Sequence, residues 1–122
     1  MDYIKVPNFA DDWSAICCPA CGFDYLHHYK VETYFRDTED SNNGLMVTAK
    51  SASKRYEEVP KPAEGSVNAR APMINNPSDR RDGIRIWLWC EGCEVRSALI
   101  LIQHKGQTFM LWDDANKVES PT

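Results

Sequence analysis

The sequence has no long hydrophobic run. Its longest apolar stretch, Ala98-Leu99-Ile100-Leu101-Ile102, is far shorter than the roughly 20 residues a membrane-spanning helix needs. The opening residues, Met1 to Pro7, carry no basic segment leading into an apolar one, so a secretory leader is not expected. Together these absences lead to the expectation of a soluble cytoplasmic protein without membrane association. Positive charge is not in surplus either: 14 Lys and Arg stand against 18 Asp and Glu, a formal net charge of -4. Nucleic-acid-binding domains usually show a basic face, and the total argues against one. The distribution is uneven, however, with a mildly basic middle (residues 45–105) between two acidic ends. Catalytic signatures are also missing. There is no Gly-x-Ser-x-Gly, no glycine-rich phosphate loop and no His-Glu-x-x-His.

What is present fits a single domain spanning residues 1–122. The chain is 43% hydrophobic and 11% aromatic, with four tryptophans, which excludes overall disorder. A chain of this size has a modest core, so an added staple is expected to matter. Five cysteines supply the material for one. In a reducing cytoplasm they favour metal ligation over disulfides.

The periodicity predicts a mainly β fold, an antiparallel sheet of about five strands. Residues 24–36 alternate strictly, with Tyr25, His27, Tyr29, Val31, Thr33 and Phe35 expected on one face. Such alternation, rich in aromatic and β-branched residues, marks a strand. Asp37 to Gly44 reads as a polar turn, and Leu45 to Lys50 as a strand paired back on the first. Ile84 to Cys90 is bulky on both faces and is expected to be central. Val95 to His104 returns beside it, and a turn at Lys105-Gly106-Gln107 leads to a last strand, Thr108 to Trp112. Residues 51–83 contain four prolines and little periodicity. They read as a long irregular insertion, with a short helix possible near 52–59. The first 16 residues read as an arm packing Phe9 and Trp13 onto the core, and residues 113–122 as a polar tail.

The strongest chemical signal is a pair of Cys-x-x-Cys motifs, Cys18-Pro19-Ala20-Cys21 and Cys90-Glu91-Gly92-Cys93. Four soft thiolates in a tetrahedron suit zinc and leave no open position for water, so the site is expected to be structural. One zinc per chain would then contribute its binding energy to folding. The 68 residues between the motifs far exceed the usual ribbon spacing of about 15–20, and the intervening strands must return the chain to the first knuckle. Cys17 is the fifth cysteine. The Cys-Pro-x-Cys-Gly context selects Cys18 as ligand and leaves Cys17 a bystander.

Five further residues are candidates for partner contact. Arg80 and Arg81, in Asn75-Asn76-Pro77-Ser78-Asp79-Arg80-Arg81-Asp82-Gly83, can grip a phosphate or an acidic partner; alternatively, Asp79 and Asp82 neutralise them within a solvated turn. Arg85, Trp87 and Trp89 share one strand face, where aromatics interleaved with a cation can stack single-stranded bases or simply form core. His27, His28 and His104 are expected to serve packing and hydrogen bonding; the lesser alternative is a small enzyme that uses one of them. His27 and His28, on opposite faces of one strand, cannot act as a pair.

Cys18-Pro19-Ala20-Cys21-Gly22 followed by Tyr25-Leu26-His27-His28, together with Asn76-Pro77-Ser78, Arg80-Arg81, Cys90-Glu91-Gly92-Cys93 and Gln103 to Thr108 with Trp112, resembles small zinc-ribbon proteins of actinobacterial and phage genomes. The resemblance covers segments of residues 17–112 and implies zinc at the four named cysteines. It implies no activity; the phage association implies a viral protein directed at a host or defence component. The expectation is therefore a zinc-stabilised binding module and not an enzyme. Its partner is expected to be a protein, with a nucleic acid as the alternative.

Overall fold

The computed structural model describes residues 15–52 and 62–113. The expected arm up to residue 14, with Phe9 and Trp13, the short helix near 52–59 save Ala52, and the tail beyond Asp113 lie outside the described residues. Six strands form: β1 (Leu26–Arg36), β2 (Asn43–Lys50), β3 (Glu64–Pro72), β4 (Gly83–Cys90), β5 (Arg96–His104) and β6 (Gln107–Trp112). They make one antiparallel sheet in the order β3-β2-β1-β4-β5-β6. The antiparallel, mainly β architecture expected from periodicity is what forms, and the described residues include no helix.

β3 corrects one expectation. Residues 64–72 lie inside the stretch read as irregular, yet they pair with β2 from Lys50↔Glu64 to Asn43↔Pro72. The segment Glu64-Gly65-Ser66-Val67-Asn68-Ala69-Arg70-Ala71-Pro72 is small and polar, and only Ala71 is buried. An edge strand that buries almost nothing needs no apolar alternation, so backbone pairing alone places it. Its terminal proline is tolerated because an edge strand has an unpaired side.

A bulge corrects a second expectation. In the β1–β4 pairing His28 faces Leu88 and Lys30 faces Trp87, leaving Tyr29 as an extra residue. One inserted residue resets the two-residue alternation. His27 therefore shares a face with Trp89, their rings 5.8 Å apart. Val31, Thr33 and Phe35 occupy the other face instead of continuing the row that His27 began.

Register then sorts the whole sheet. One full cross-strand row is Val67-Val47-Thr33-Ile84-Leu101-Met110, and the next on that face is Gly65-Ala49-Val31-Ile86-Leu99-Trp112. The opposite face carries the row Ser66-Thr48-Glu32-Arg85-Ile100-Leu111. Among the described residues, the one long connection lies over that second face. The β3–β4 connection, residues 73–82, crosses it, with Met73 completing a buried cluster of Tyr34, Ala71 and Met73 beside Met46.

This crossing is built from polar anchors. The Arg36 guanidinium donates to the carbonyls of Ser41, Ser78 and Arg81, and the Arg36 amide donates to Asp82 Oδ1 at 2.9 Å. Asn76 Oδ1 accepts from the Ser78 amide, closing a turn around Pro77, and Asn76 Nδ2 donates to the Arg81 carbonyl. Gly83 is required where this turn meets the sheet. A Cβ there would lie 2.5 Å from Asn76 Oδ1 and 2.9 Å from Pro77 Cγ.

Candidate metal centre

Both Cys-x-x-Cys motifs lie at the same end of the sheet. The first leads into β1 and the second follows β4; β1 and β4 are hydrogen-bonded neighbours whose register brings Leu26 opposite Cys90. The ladder extends one step further, as the Glu91 amide donates to the Tyr25 carbonyl at 3.1 Å. The long sequence gap is thus closed by strand pairing.

The two knuckles have one local geometry. In the first, the Cys18 amide donates to the Phe23 carbonyl (2.7 Å) and the Gly22 amide donates back to the Cys18 carbonyl (2.9 Å). In the second, the Cys90 amide donates to the Val95 carbonyl (3.1 Å) and the Glu94 amide donates back to the Cys90 carbonyl (3.0 Å). The residue after each second cysteine has a left-handed backbone, φ 80° at Gly22 and 63° at Glu94. Such loops turn backbone N–H groups toward sulfur, as the Ala20 amide does toward Cys18 Sγ.

The four sulfurs of Cys18, Cys21, Cys90 and Cys93 all lie within 4.8 Å of one another. Cys18 and Cys93 are 3.8 Å apart, and Cys21 and Cys90 3.6 Å apart. Four thiolates about 2.3 Å from a tetrahedral zinc stand about 3.8 Å from each other. The distances are too long for a disulfide, whose sulfurs bond at about 2.05 Å, and right for four ligands around one ion. All four are free thiols, as is Cys17. Cys17 remains exposed and outside the cluster.

The electrostatics of the cluster point the same way. Backbone N–H groups of Cys93 and Gly92 bring the Cys90 thiol down to about 7 despite its desolvation. Cys21 accepts the Phe23 amide, which favours its thiolate, yet desolvation and the three neighbouring sulfurs push it up to about 12. Cys93, helped by the Val95 amide, is still raised by desolvation and by Cys90 and Cys18. Cys90 sheds its proton readily while Cys21 and Cys93 hold theirs more tightly, because adjacent thiolates repel. A divalent cation removes that conflict.

Side chains around the knuckles brace them. The Phe23 ring packs on Gly92, where an added Cβ would lie 3.0 Å from the ring, and sits 5.3 Å from the Tyr25 ring. His27 Nε2 is 3.3 Å from Glu91 Oε2, both on the surface. Ile16, Phe23, Tyr25 and Val95 are exposed at this end.

The other sequence candidates lie elsewhere. Arg80 pairs with Asp40, whose carboxyl it holds below the usual aspartate range, and with Glu39; Arg81 also pairs with Glu39. Their neutralising partners are the β1–β2 turn and not Asp79 or Asp82. Arg85 is turned to Asp113 (3.3 Å) and the Asn75 carbonyl (2.8 Å). Trp87 donates its indole N–H to Glu32 Oε1 at 2.6 Å, and the buried Glu32 also accepts the Tyr34 hydroxyl. Burial, with Glu32 alongside, pushes Tyr34 up to about 12. Trp89 is half-buried beside His27. His104 is exposed at the β5–β6 turn. The structure therefore unites the four cysteines, gives Arg80, Arg81, Arg85 and Trp87 other partners, and leaves Trp89, one residue before Cys90, beside His27.

Arg36 and Glu94 were not singled out in the sequence. A lone arginine in a strand carries no signal for the loop it will anchor. Glu94 had one: it follows its Cys-x-x-Cys at the same offset as Gly22. Comparison with known protein families, curated proteins and solved structures gives no match.

Proposed function

We propose that this chain is a zinc-stabilised interaction module whose partner is a protein. The observation that carries the reading is the convergence of four thiol sulfurs at tetrahedral spacing from two knuckles of one geometry. Thiolates at all four corners suit zinc and leave no corner for a reacting water, so the ion's contribution is to folding. Cys18, Cys21, Cys90 and Cys93 hold it. The knuckles fix Ile16, Phe23, Tyr25 and Val95 at the surface, an apolar group that suits a protein better than a phosphate backbone. A nucleic-acid platform of Arg85, Trp87 and Trp89 has less support. Arg85 is neutralised by Asp113, and a carboxylate, Glu32, sits against Trp87.

Two measurements test this. Elemental analysis of the purified protein is expected to give one zinc per chain, and a strong chelator to unfold it. Cys90→Ser is expected to lose both zinc and fold, Cys17→Ser neither. A metal-free, folded protein refutes the zinc reading. For the partner, affinity capture with wild type and with Tyr25→Ala/Val95→Ala is compared at equal zinc content. Loss of one captured protein in the variant supports the reading, and Arg80→Ala/Arg81→Ala is expected to retain it. Capture that is nuclease-sensitive, or the same with all three proteins, refutes it.

A further inference from the structure

β3 is an edge strand, and eight of its nine residues are exposed. Its outer side carries backbone groups that the sheet does not use. The Ser51 amide donates to the Tyr29 carbonyl, and the Asp37 amide to the Asn43 carbonyl. Backbone bonding alternates along an antiparallel pair. The odd-numbered residues of β2 therefore turn their N–H and C=O groups to β1, and the even-numbered ones to β3. Met46, Thr48 and Lys50 pair with Asn68, Ser66 and Glu64, which bond inward. Gly65 and Val67 turn theirs outward. Among the described residues, no strand pairs with that side. Open edges are usually blunted by proline, lysine or inward-pointing charge. The run Gly65-Ser66-Val67-Asn68-Ala69 has none of these, and Val67 is 69% exposed.

We infer that the outer edge of β3 pairs antiparallel with β3 of a second copy of this chain, across a two-fold axis at Val67. The strand's own residues select that partner, because the segment complements its reverse. About Val67, Ser66 meets Asn68, Gly65 meets Ala69, Glu64 meets Arg70, Ala63 meets Ala71 and Pro62 meets Pro72. The prolines end the ladder on both sides, since neither can donate to it. By symmetry the Glu64–Arg70 pair forms twice. Val67 on Val67 and Gly65 on Ala69 are the hydrogen-bonded positions, served by the outward groups of Gly65 and Val67. Glu64 and Arg70 then meet at a non-hydrogen-bonded position, where facing side chains come closest. Ala69 and Arg70 form a bulge opposite Leu45, and Asn68 Oδ1 holds the Arg70 amide at 3.1 Å. The pairing asks no backbone bond of Arg70. An unrelated extended segment must match the small residues and both charges in order, whereas a second copy does so by symmetry. The result is one antiparallel sheet continuous through both copies. Neither the metal nor the knuckles take part, and β3 stands two strands from β1, the nearer of the two strands that carry them.

The test is the mass of the zinc-loaded full chain by light scattering, followed up to the concentrations used for NMR. Wild type is expected to rise to twice the 13.9 kDa of one chain. Arg70→Glu sets Glu64 against a second carboxylate and is expected to move the midpoint of that rise to about tenfold higher concentration or beyond. Glu64→Arg/Arg70→Glu restores opposite charges across the axis and is expected to recover most of that loss. Lys105→Glu makes the same change of net charge at the β5–β6 turn and is expected to dimerise as wild type does. Glu64, Arg70 and Lys105 are all exposed in the single chain, so each variant is expected to keep the wild-type circular dichroism. A wild-type mass of one chain at every concentration overturns the inference, whatever else then pairs with the edge. So does a dimer that folded Arg70→Glu leaves unchanged, or a loss that the double exchange does not recover. Should Arg70→Glu unfold, isotope-filtered NOEs in a mixture of labelled and unlabelled wild type decide. Contacts from Val67 of one copy to Val67 of the other support the pairing, and their absence refutes it.

Discussion

Replacing Glu94 with glycine is expected to stabilise the protein, and replacing Gly22 with alanine to destabilise it by a similar amount. Both residues follow the second cysteine of a knuckle, and both donate their amide to the carbonyl of the first. Both have positive φ, 63° and 80°. A left-handed backbone costs an L-residue about 1–2 kcal/mol. Glycine avoids that cost but gives back about 0.4–1 kcal/mol through the freedom of the unfolded chain. The net gain for Glu94→Gly is about 0.5–1 kcal/mol. For Gly22→Ala the steric contribution vanishes, since an added Cβ meets nothing within 4 Å. The net loss is then about 0.5–1 kcal/mol from backbone strain alone. In a domain of this size each change moves the melting midpoint by about 2–5 °C. Thermal melts at one fixed excess of zinc isolate the effect, because bound metal itself raises the midpoint by mass action. A Glu94→Gly variant that melts below wild type refutes the equivalence of the two knuckles, as does a Gly22→Ala variant that melts above it.

Three other outcomes follow from the covered face and its anchors. Arg36→Lys is expected to cost about 2–4 kcal/mol in urea unfolding, because a single ammonium cannot serve three carbonyls spread over Ser41, Ser78 and Arg81. Amide exchange should rise across residues 76–82 in the same variant. Gly83→Ala is expected to cost about 1–3 kcal/mol by overpacking against Asn76 and Pro77, and a measured change near zero would mean the turn stands further from the sheet. Glu32→Leu is expected to cost about 1–3 kcal/mol, since the Trp87 indole and the Tyr34 hydroxyl both lose their acceptor. Red-shifted tryptophan emission in that variant would show water reaching the Trp87 ring.

Much of this molecule was legible from local pattern. The alternation at Ile84 to Trp89 marked a central strand, and Lys105-Gly106 marked the hairpin where both residues have positive φ. Cys-Pro-x-Cys-Gly distinguished Cys18 from Cys17. These features depend on near neighbours in the chain, so the sequence displays them directly. β3 was not legible because its pairing rests on backbone hydrogen bonds, to which every residue type contributes alike. The roles of Arg80 and Arg81 could not be assigned to the Glu39–Asp40 turn, because those carboxylates lie about forty positions away in sequence.

By itself, then, the amino-acid sequence determined the strand class, the turns and the chemistry of four soft ligands, since each follows from residue type at short spacing. Tertiary structure decided the rest. Pairing of β1 with β4 carried the knuckles together across 68 residues. The bulge at Tyr29 decided which β1 side chains share a face, and the crossing of residues 73–82 decided which face carries that connection. Both turn on a single-residue shift in register or the route of one connection, and residue pattern alone encodes neither.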